Sequence, residues 1–195
     1  MFCKELRFSS GMMLAAIALG AGLAGPVLAD ELDFNLNDDT ARLNFAFTPE
    51  GRDWRFGGGW LHHQDNGDIG YIDGYLTGNA SSGSNPLAAG LGGKLLFVDA
   101  DRADADGGAL AVGGFLRYAL PRLNRLSFGG EAYFAPDVTG FGDLGQYTEI
   151  SAYAAYNVLR DADLYVGVRN IKADFDERGE VTVDTGLHVG FRLRF

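Results

Sequence analysis

The side chains that could do chemistry in this chain are charged residues that recur at every second position. In the segment 181–195 the odd positions are apolar with one exception. The even positions are polar or glycine, and their ionisable members are Asp184, His188, Arg192 and Arg194. Because successive side chains of a β-strand point to opposite faces, this pattern predicts a strand with one apolar and one charged face.

The same alternation recurs along the chain and predicts one charged face for a whole sheet. We expect this face to line the lumen of a closed barrel, with the ionisable members Arg42, Arg55, Asp73, Lys94, Arg117, Glu131, Glu149, Arg169, Asp184, His188, Arg192 and Arg194. Such a lining can select ions in a pore, or it can fill the lumen with arginine–carboxylate pairs. About ten strands leave a narrow bore, which favours a narrow or plugged lumen.

A second candidate site is an acidic segment that contains Asp99, Asp101, Asp104 and Asp106. Hard divalent cations bind several carboxylate oxygens, so weak Ca²⁺ or Mg²⁺ association is one hypothesis. The spacing does not match an EF-hand, and Arg102 interrupts the acidic residues. A solvated loop is the simpler interpretation, and we predict no metal site and no cofactor.

Histidines and serines raise the possibility of hydrolysis. Adjacent His62 and His63 point to opposite faces of a strand and cannot easily share a metal ion. Ser127 and Ser151 share faces with carboxylates, and His188 is the histidine that could reach across a lumen. No nucleophile motif surrounds either serine, so the sequence predicts a protein that is not an enzyme, with a lipid-modifying barrel as the weaker alternative.

The first residues predict a secretory signal peptide. Lys4 and Arg7 precede an apolar stretch from Met12 to Gly25, and Val27-Leu28-Ala29 suits cleavage before Asp30. The sequence therefore predicts two parts, a signal peptide at 1–29 and one domain at 30–195. The single cysteine, Cys3, leaves with the signal, so the exported domain has no disulfide bond.

Charge and hydropathy restrict the function of the exported domain. The formal net charge of the whole chain is −10, and loss of the signal makes it one unit more negative, which disfavours nucleic-acid binding. No later apolar run is long enough for a transmembrane helix. Strands that enter a membrane must close on themselves, because lipid offers no hydrogen-bond partner to an open sheet edge.

The fold class we predict is all-β, a transmembrane antiparallel up-and-down β-barrel. Ten strands are expected at 31–37, 40–48, 54–64, 67–79, 87–99, 108–121, 124–136, 146–159, 162–175 and 180–195, and eight remain possible if the first hairpin lies outside the wall. Tyrosine and tryptophan near strand ends and glycines inside strands favour lipid around the barrel over a soluble sandwich.

An even strand number places both ends of the barrel domain on the periplasmic side. The predicted outward loops are 37–39, 64–66, 100–107, 136–145 and 176–179, and the remaining turns face the periplasm. The turn at 80–86 is long for a periplasmic turn and fits this topology less well.

The acidic start Asp-Glu-Leu-Asp-Phe at Asp30 and the ending Gly-Leu-His-Val-Gly-Phe-Arg-Leu-Arg-Phe at Phe195 resemble the YfaZ family of small outer-membrane proteins. The resemblance covers the exported domain and implies a porin-like outer-membrane β-barrel without an established enzymatic activity. The last strand, which ends at Phe195, also resembles the general signal read by the outer-membrane assembly machinery.

The function we expect is therefore a minor porin or a structural barrel of the outer membrane in a Gram-negative bacterium. The alternative is a non-conducting surface protein that binds partners or lipopolysaccharide through its outward loops. The expected partners are outer-membrane lipid, lipopolysaccharide, the assembly machinery and periplasmic chaperones, with small solutes or ions in addition if the lumen conducts.

Overall fold

The computed structural model describes residues 30–79, 87–101, 104–176 and 178–195. The predicted signal peptide, the turn at 80–86 and Arg102 lie outside the described residues. In the described part of the chain, no helix is long and apolar enough to cross a membrane.

The described residues fold as antiparallel strands joined by turns and one single-turn 3₁₀ helix, Asp137–Thr139. The strands in chain order are β1 (Glu31–Leu36), β2 (Thr40–Phe47), β3 (Trp54–His63), β4 (Gly67–Asn79), β5 (Leu87–Ala100), β6 (Ala105–Leu120), β7 (Leu123–Ala135), β8 (Gly140–Gly142), β9 (Leu144–Leu159), β10 (Ala162–Phe175) and β11 (Gly179–Arg194).

Ten of these strands form a closed barrel, which confirms the predicted fold class. Each strand pairs with its neighbour in the chain, β7 pairs with β9, and β1 pairs with β11 to close the ring. The alternative of eight strands is wrong, because the first hairpin, β1–β2, lies in the wall between β11 and β3.

Two predicted loops are shorter or more ordered than expected. Strand β6 begins at Ala105, so the predicted loop 100–107 ends before position 105. The predicted loop 136–145 contains β8, which pairs with Gly107–Ala109 of β6 just beyond the point where β7 stops pairing with it. Three-residue strands carry too little periodicity to be found from sequence.

The barrel has two unlike ends. We call the end with Asp30, the turn at 121–122 and the turn at 160–161 the basal end. The opposite end, with the turns at 37–39, 64–66 and 176–178, is the distal end. Both ends of the described domain lie at the basal end, where the backbone N–H of Phe195 donates to the carbonyl of Asp30 at 3.0 Å.

Strand β10 shows that the polarity of the wall reverses along the barrel. In its basal half the outward side chains are Leu164, Val166 and Val168, and the inward ones are Tyr165, Gly167 and Arg169. In its distal half the outward side chains are Asn170, Lys172 and Asp174, and the inward ones are Ile171, Ala173 and Phe175. The basal half is therefore built for lipid outside, and the distal half for water outside.

The other strands follow the same division. Their basal outward positions carry exposed apolar side chains that form a belt around the barrel, among them Phe34, Leu43, Phe56, Ile72, Leu91, Leu116, Phe128, Tyr156 and Val189. Their distal inward positions meet in a cluster that we call the distal core, which consists of Leu61, Ile69, Leu96, Val98, Leu144, Tyr147, Ile171, Phe175 and Val183. In β4, Ile72 faces outward, whereas Tyr71 and Tyr75 are buried.

A β-bulge in β11 corrects one prediction. The alternation from position 181 onward predicts Val181 and Val183 on the outer face. The pairing register with β10 shifts between Ile171 and Lys172, so Val183 becomes the extra residue on β11. Val183 is fully buried in the distal core and Val181 packs against it. One extra residue exchanges the two faces of a strand, and the sequence pattern alone does not reveal where that residue falls.

A side chain of the turn between β3 and β4 ties the distal part of β11 to the rest of the wall. The amide of Asn66 donates to the carbonyl of Thr182 at 3.2 Å and to that of Val183 at 2.9 Å. Position 67 of the same turn must be glycine, because its φ is +103° and a Cβ there would overlap the carbonyl of Asp99. Strands β1 and β2 are short, so their hairpin leaves a gap in the distal part of the wall between β3 and β11. The hydrogen bonds from Asn66 to β11 span this gap.

We expect the change Asn66→Ala to lower the free energy of unfolding by about 1–3 kcal/mol, because it leaves buried carbonyls of β11 without their donor. Urea unfolding of the protein in lipid vesicles, followed by tryptophan fluorescence, measures this. The control is Gln64→Ala, an exposed position in the same turn, for which the change is expected to stay within about 0.5 kcal/mol. Equal effects of the two substitutions would show that the Asn66 bridge contributes no stability.

Candidate functional site

The candidate site is the charged interior of the basal and middle parts of the barrel. Strand alternation turns charged side chains inward, and glycines on neighbouring strands make room for large inward rings. A Cβ at Gly129 would overlap the ring of Tyr153, and one at Gly190 would overlap that of Tyr165. Glycines at such positions allow tyrosines and arginines to lie flat across the inner wall.

All twelve predicted lumenal side chains lie on the inner face of the wall. Ten of them take part in ion pairs, which form a middle group around Glu149 and Asp184 and a basal group around Glu31, Asp33 and Asp163. The other two, Asp73 and His188, belong to no ion pair among the described residues. Sequence reasoning missed Glu31 and Asp163 as members of this set. Glu31 shares its parity with Asp33, so a stricter reading of the alternation would have found it.

Glu149 is the centre of the middle group, and its side chain is 1% exposed. Its Oε2 accepts from the ammonium of Lys94 at 2.6 Å and from the hydroxyl of Tyr147 at 2.9 Å. Its Oε1 accepts from Nη1 of Arg42 at 2.9 Å. One carboxylate thus joins side chains from β2, β5 and β9 across the lumen. We call Glu149 with Lys94, Arg42 and Tyr147 the Glu149 group.

Two tyrosine rings enclose the ammonium of Lys94. Its Nζ lies 3.7 Å from the ring centroid of Tyr133 and 4.4 Å from that of Tyr71. A cation over aromatic faces is stabilised by the negative face of each ring, more strongly when water is excluded. The lysine side chain is itself 1% exposed, so the carboxylate and the rings together replace its hydration.

Asp184 forms a second buried ion pair nearer the β1–β11 seam. Its Oδ2 accepts from Nε of Arg169 at 2.6 Å. Its Oδ1 accepts from the amide of Asn37 at 2.9 Å and from the hydroxyl of Thr40 at 3.0 Å. Arg169 also donates to Asn35 at 2.9 Å, so this network joins the first hairpin to β10 and β11.

The basal group is more open to solvent and consists of arginine–carboxylate pairs. Arg55 donates to Glu31 at 2.7 Å, and Arg192 donates to Asp33 at 3.0 Å. Arg194 makes a two-pronged contact with Asp163, at 2.7 and 3.0 Å. The Arg192–Asp33 pair joins the last strand, β11, to the first, β1, from the inside, in addition to their backbone hydrogen bonds. The other two pairs join β3 to β1 and β11 to β10.

A small cavity lies between the basal pairs and the Glu149 group. Its volume is about 110 Å³, and its lining includes the carboxylates of Asp73 and Glu131 and the guanidinium of Arg117. Pockets that bind drug-sized molecules measure about 300–1,000 Å³, so this cavity suits water or a small ion. It does not continue past the Glu149 group, because the distal core fills the lumen there.

The distal core is the feature that the sequence did not predict. The predicted set of inward charges implies an interior salt-bridged along its length, whereas the distal inward positions are apolar and nearly all below 3% exposed. Leu96 and Ala109 of the neighbouring strands β5 and β6 are fully buried there, and Tyr147 beneath them is 1% exposed. Such close packing of apolar side chains is typical of the interior of a water-soluble protein.

The histidines and serines do not assemble a hydrolytic site in the described residues. His62 is exposed and lies 2.9 Å from Asp68, whereas His63 is buried in its turn. The hydroxyl of Ser151 donates to Glu131 at 3.3 Å, and no hydrogen bond joins either Ser127 or Ser151 to a histidine.

The acidic segment lies at the distal end and includes a row across three strands. Asp99 of β5 stands opposite Asp68 of β4 and Asp106 of β6 in the pairing register. Asp101 and Asp104 are exposed in the turn between β5 and β6. Among the described residues, no three potential ligands are placed so that they could hold a metal ion.

Comparison with known proteins gives two findings. A family described as "YfaZ precursor" matches residues 10–195 of this chain. The chain is also 30% identical, over 183 residues, to "Outer membrane protein YfaZ" of Escherichia coli strain K12, an alignment that covers 90% of this chain and 97% of that protein. The word precursor in the family description supports the predicted signal peptide.

We expect Glu149→Gln to lower the free energy of unfolding by about 3–5 kcal/mol, because it leaves the buried charges of Lys94 and Arg42 without their shared carboxylate. The same urea titration measures this. The control is Glu180→Gln, which removes an exposed ion pair with Lys172 and is expected to cost less than about 1 kcal/mol. If both substitutions cost the same small amount, the Glu149 group does not hold the barrel together.

Proposed function

This chain belongs to the YfaZ family and is an outer-membrane β-barrel protein, and we propose that it serves the membrane as a non-conducting, structural barrel. The observation that carries this proposal is the distal core, which fills the lumen with close-packed apolar side chains above the Glu149 group. Channels with wide aqueous lumens have about 16 strands or more, and this barrel has ten in its wall.

The proposal includes an orientation, with the basal end toward the periplasm. Both ends of the described domain lie at the basal end, as is expected of the periplasmic side of an even-stranded outer-membrane barrel. Two basal turns, 121–122 and 160–161, have two residues each, whereas the basal turn at 48–53 has six. The distal half, which is polar outside and apolar inside, would then stand beyond the lipid on the cell surface. This arrangement gives the exposed distal aspartates access to lipopolysaccharide or to partners outside the cell.

Assembly is the second part of the proposal. Strand β11 alternates from its bulge to Phe195, whose ring is 78% exposed on the outer side of the barrel. We expect the assembly machinery to read this strand after periplasmic chaperones have delivered the unfolded chain. Because β11 pairs with β1 in the folded barrel, the strand that the assembly machinery recognises would also be the strand that closes the barrel.

The proposal also holds that the barrel catalyses no reaction. Supporting it, the hydroxyl of Ser151 donates to a carboxylate rather than to an imidazole, and His188 lies against the ring of Tyr165 at 5.9 Å. A nucleophilic serine needs a base within hydrogen-bond distance. Acyl-chain release from phospholipid by the folded protein, abolished by His188→Ala, would contradict this part of the proposal.

Planar-bilayer recording of the folded chain 30–195 tests the central claim. We expect no discrete current steps, because the distal core blocks the lumen. A heat-dependent mobility shift in detergent gels establishes that the inserted protein is folded, and a 16-stranded porin in the same bilayer shows that channels would be detected. Salt-dependent steps whose ion selectivity changes in Arg192→Ala or Arg117→Ala would identify a minor porin and overturn the proposal.

A further inference from the structure

An apolar groove of about 620 Å³ crosses the outer face of β7, β9, β10, β11 and β1. Its first wall is a row of large side chains that are neighbours in the pairing register, Phe34, Phe191, Leu164 and Tyr156. Its second wall is the next outward row toward the distal end, Leu36, Val189, Val166 and Ala154. Gly190 and Ala155 also line it, so small residues expose the backbone at its floor.

The groove lies close to the basal end. Tyr156 is three positions before the end of β9, and Phe191 is three positions before the end of β11. At about 3.3 Å per residue, the first wall stands within about 10 Å of the strand ends. A membrane protein meets lipid headgroups at this level, where tyrosine is the usual side chain.

Exposed arginines stand on the basal rim beside this groove. Arg122 is in the turn before β7, Arg160 is in the turn after β9, and β7 and β9 are paired, with Leu126 of the groove opposite Tyr156. The side chains of Arg122 and Arg160 have no ion-pair partner among the described residues. A single exposed carboxylate, Asp161, shares the turn with Arg160.

These arginines differ from those of the lumen. Arg42, Arg55, Arg169, Arg192 and Arg194 each contact a carboxylate inside the barrel. The chain is acidic, and most of its interior cations are paired with its own carboxylates. Arg122 and Arg160 have no such partner in the described part of the chain, so they can bind an anion from outside the protein. Arginine suits phosphate because its planar guanidinium can donate two parallel hydrogen bonds.

We propose that the groove and the adjacent rim form a binding site for one phosphate-bearing phospholipid of the bilayer. Its phosphate would contact Arg122 and Arg160, and an acyl chain would lie between the two apolar rows. The outer belt of the barrel faces lipid in any case, so the occupant is drawn from the surrounding leaflet.

Native mass spectrometry of the folded chain 30–195 tests this site. The protein is held in detergent micelles that contain phosphatidylglycerol, or diacylglycerol of the same chain length as a lipid without phosphate. We expect one retained phosphatidylglycerol per barrel and little retained diacylglycerol. The double change Arg122→Gln with Arg160→Gln should reduce the retained fraction on the order of tenfold, from the loss of two arginine–phosphate contacts.

The apolar half of the site has its own variant. Ala154→Phe places a large side chain on the outer face in the groove, and it should also abolish retention of the lipid. The matched controls are Arg52→Gln, an exposed basal arginine in the turn between β2 and β3, and Ala132→Phe, an outward position of β7 that does not line the groove. Both controls should retain the lipid as the unchanged protein does.

Three results would overturn the proposal. Equal loss of lipid in the control variants would indicate general adsorption to the belt. Equal retention of diacylglycerol would show that the arginines do not recognise phosphate. A dimer that dissociates in Ala154→Phe, with no lipid bound to the monomer, would assign the groove to a second copy of this chain. The heat-dependent mobility shift shows for each variant that loss of lipid does not come from loss of folding.

Discussion

The pairing of β1 with β11 is the contact on which the rest of this structure depends. Inside a membrane, an unpaired N–H or carbonyl has no water to bind, so a sheet is stable there only if its first and last strands join. Closure with ten wall strands sets the width of the lumen. At that width the inward side chains meet one another, and a charged lining can pair across the lumen, as Glu149 does with Lys94 and Arg42.

The reversal of polarity along the wall follows from two different surroundings. Where lipid surrounds the barrel, apolar side chains face outward and the charges must satisfy one another inside. Beyond the lipid, the same strands follow the rule of water-soluble proteins, with Ile171 and Phe175 inside and Lys172 and Asp174 outside on β10. The Glu149 group lies at the boundary between the charged interior and the apolar distal core. Tyrosines at this boundary serve both sides, because the hydroxyl of Tyr147 donates to Glu149 and the ring of Tyr133 contacts the ammonium of Lys94.

The sequence predicts much of this fold and less of its interior. The barrel class, the strand order and ten strand positions follow from alternation and turn residues, because those signals are local. The bulge at Val183 does not, since it is defined by the register against β10 and not by the sequence of β11. The distal core was not predicted for a related reason. Leu96 and Val98 follow the charged inward residue Lys94 closely in β5, and their sequence positions do not show how far each lies along the barrel axis. Only that position shows where the inward side chains change from charged to apolar.

The exposed charges at the two ends of the barrel differ. Most lumenal cations are held by carboxylates, the distal surface is rich in exposed aspartates such as Asp101 and Asp104, and unpaired arginines stand on the basal rim. In the proposed non-conducting barrel, these two surfaces are the parts of the molecule that can recognise a partner. Phosphate groups of a lipid leaflet complement the basal rim, whereas the distal aspartates would meet such phosphates only through bridging cations. In the proposed orientation, the two ends of the barrel are therefore suited to different neighbours on the two sides of the membrane.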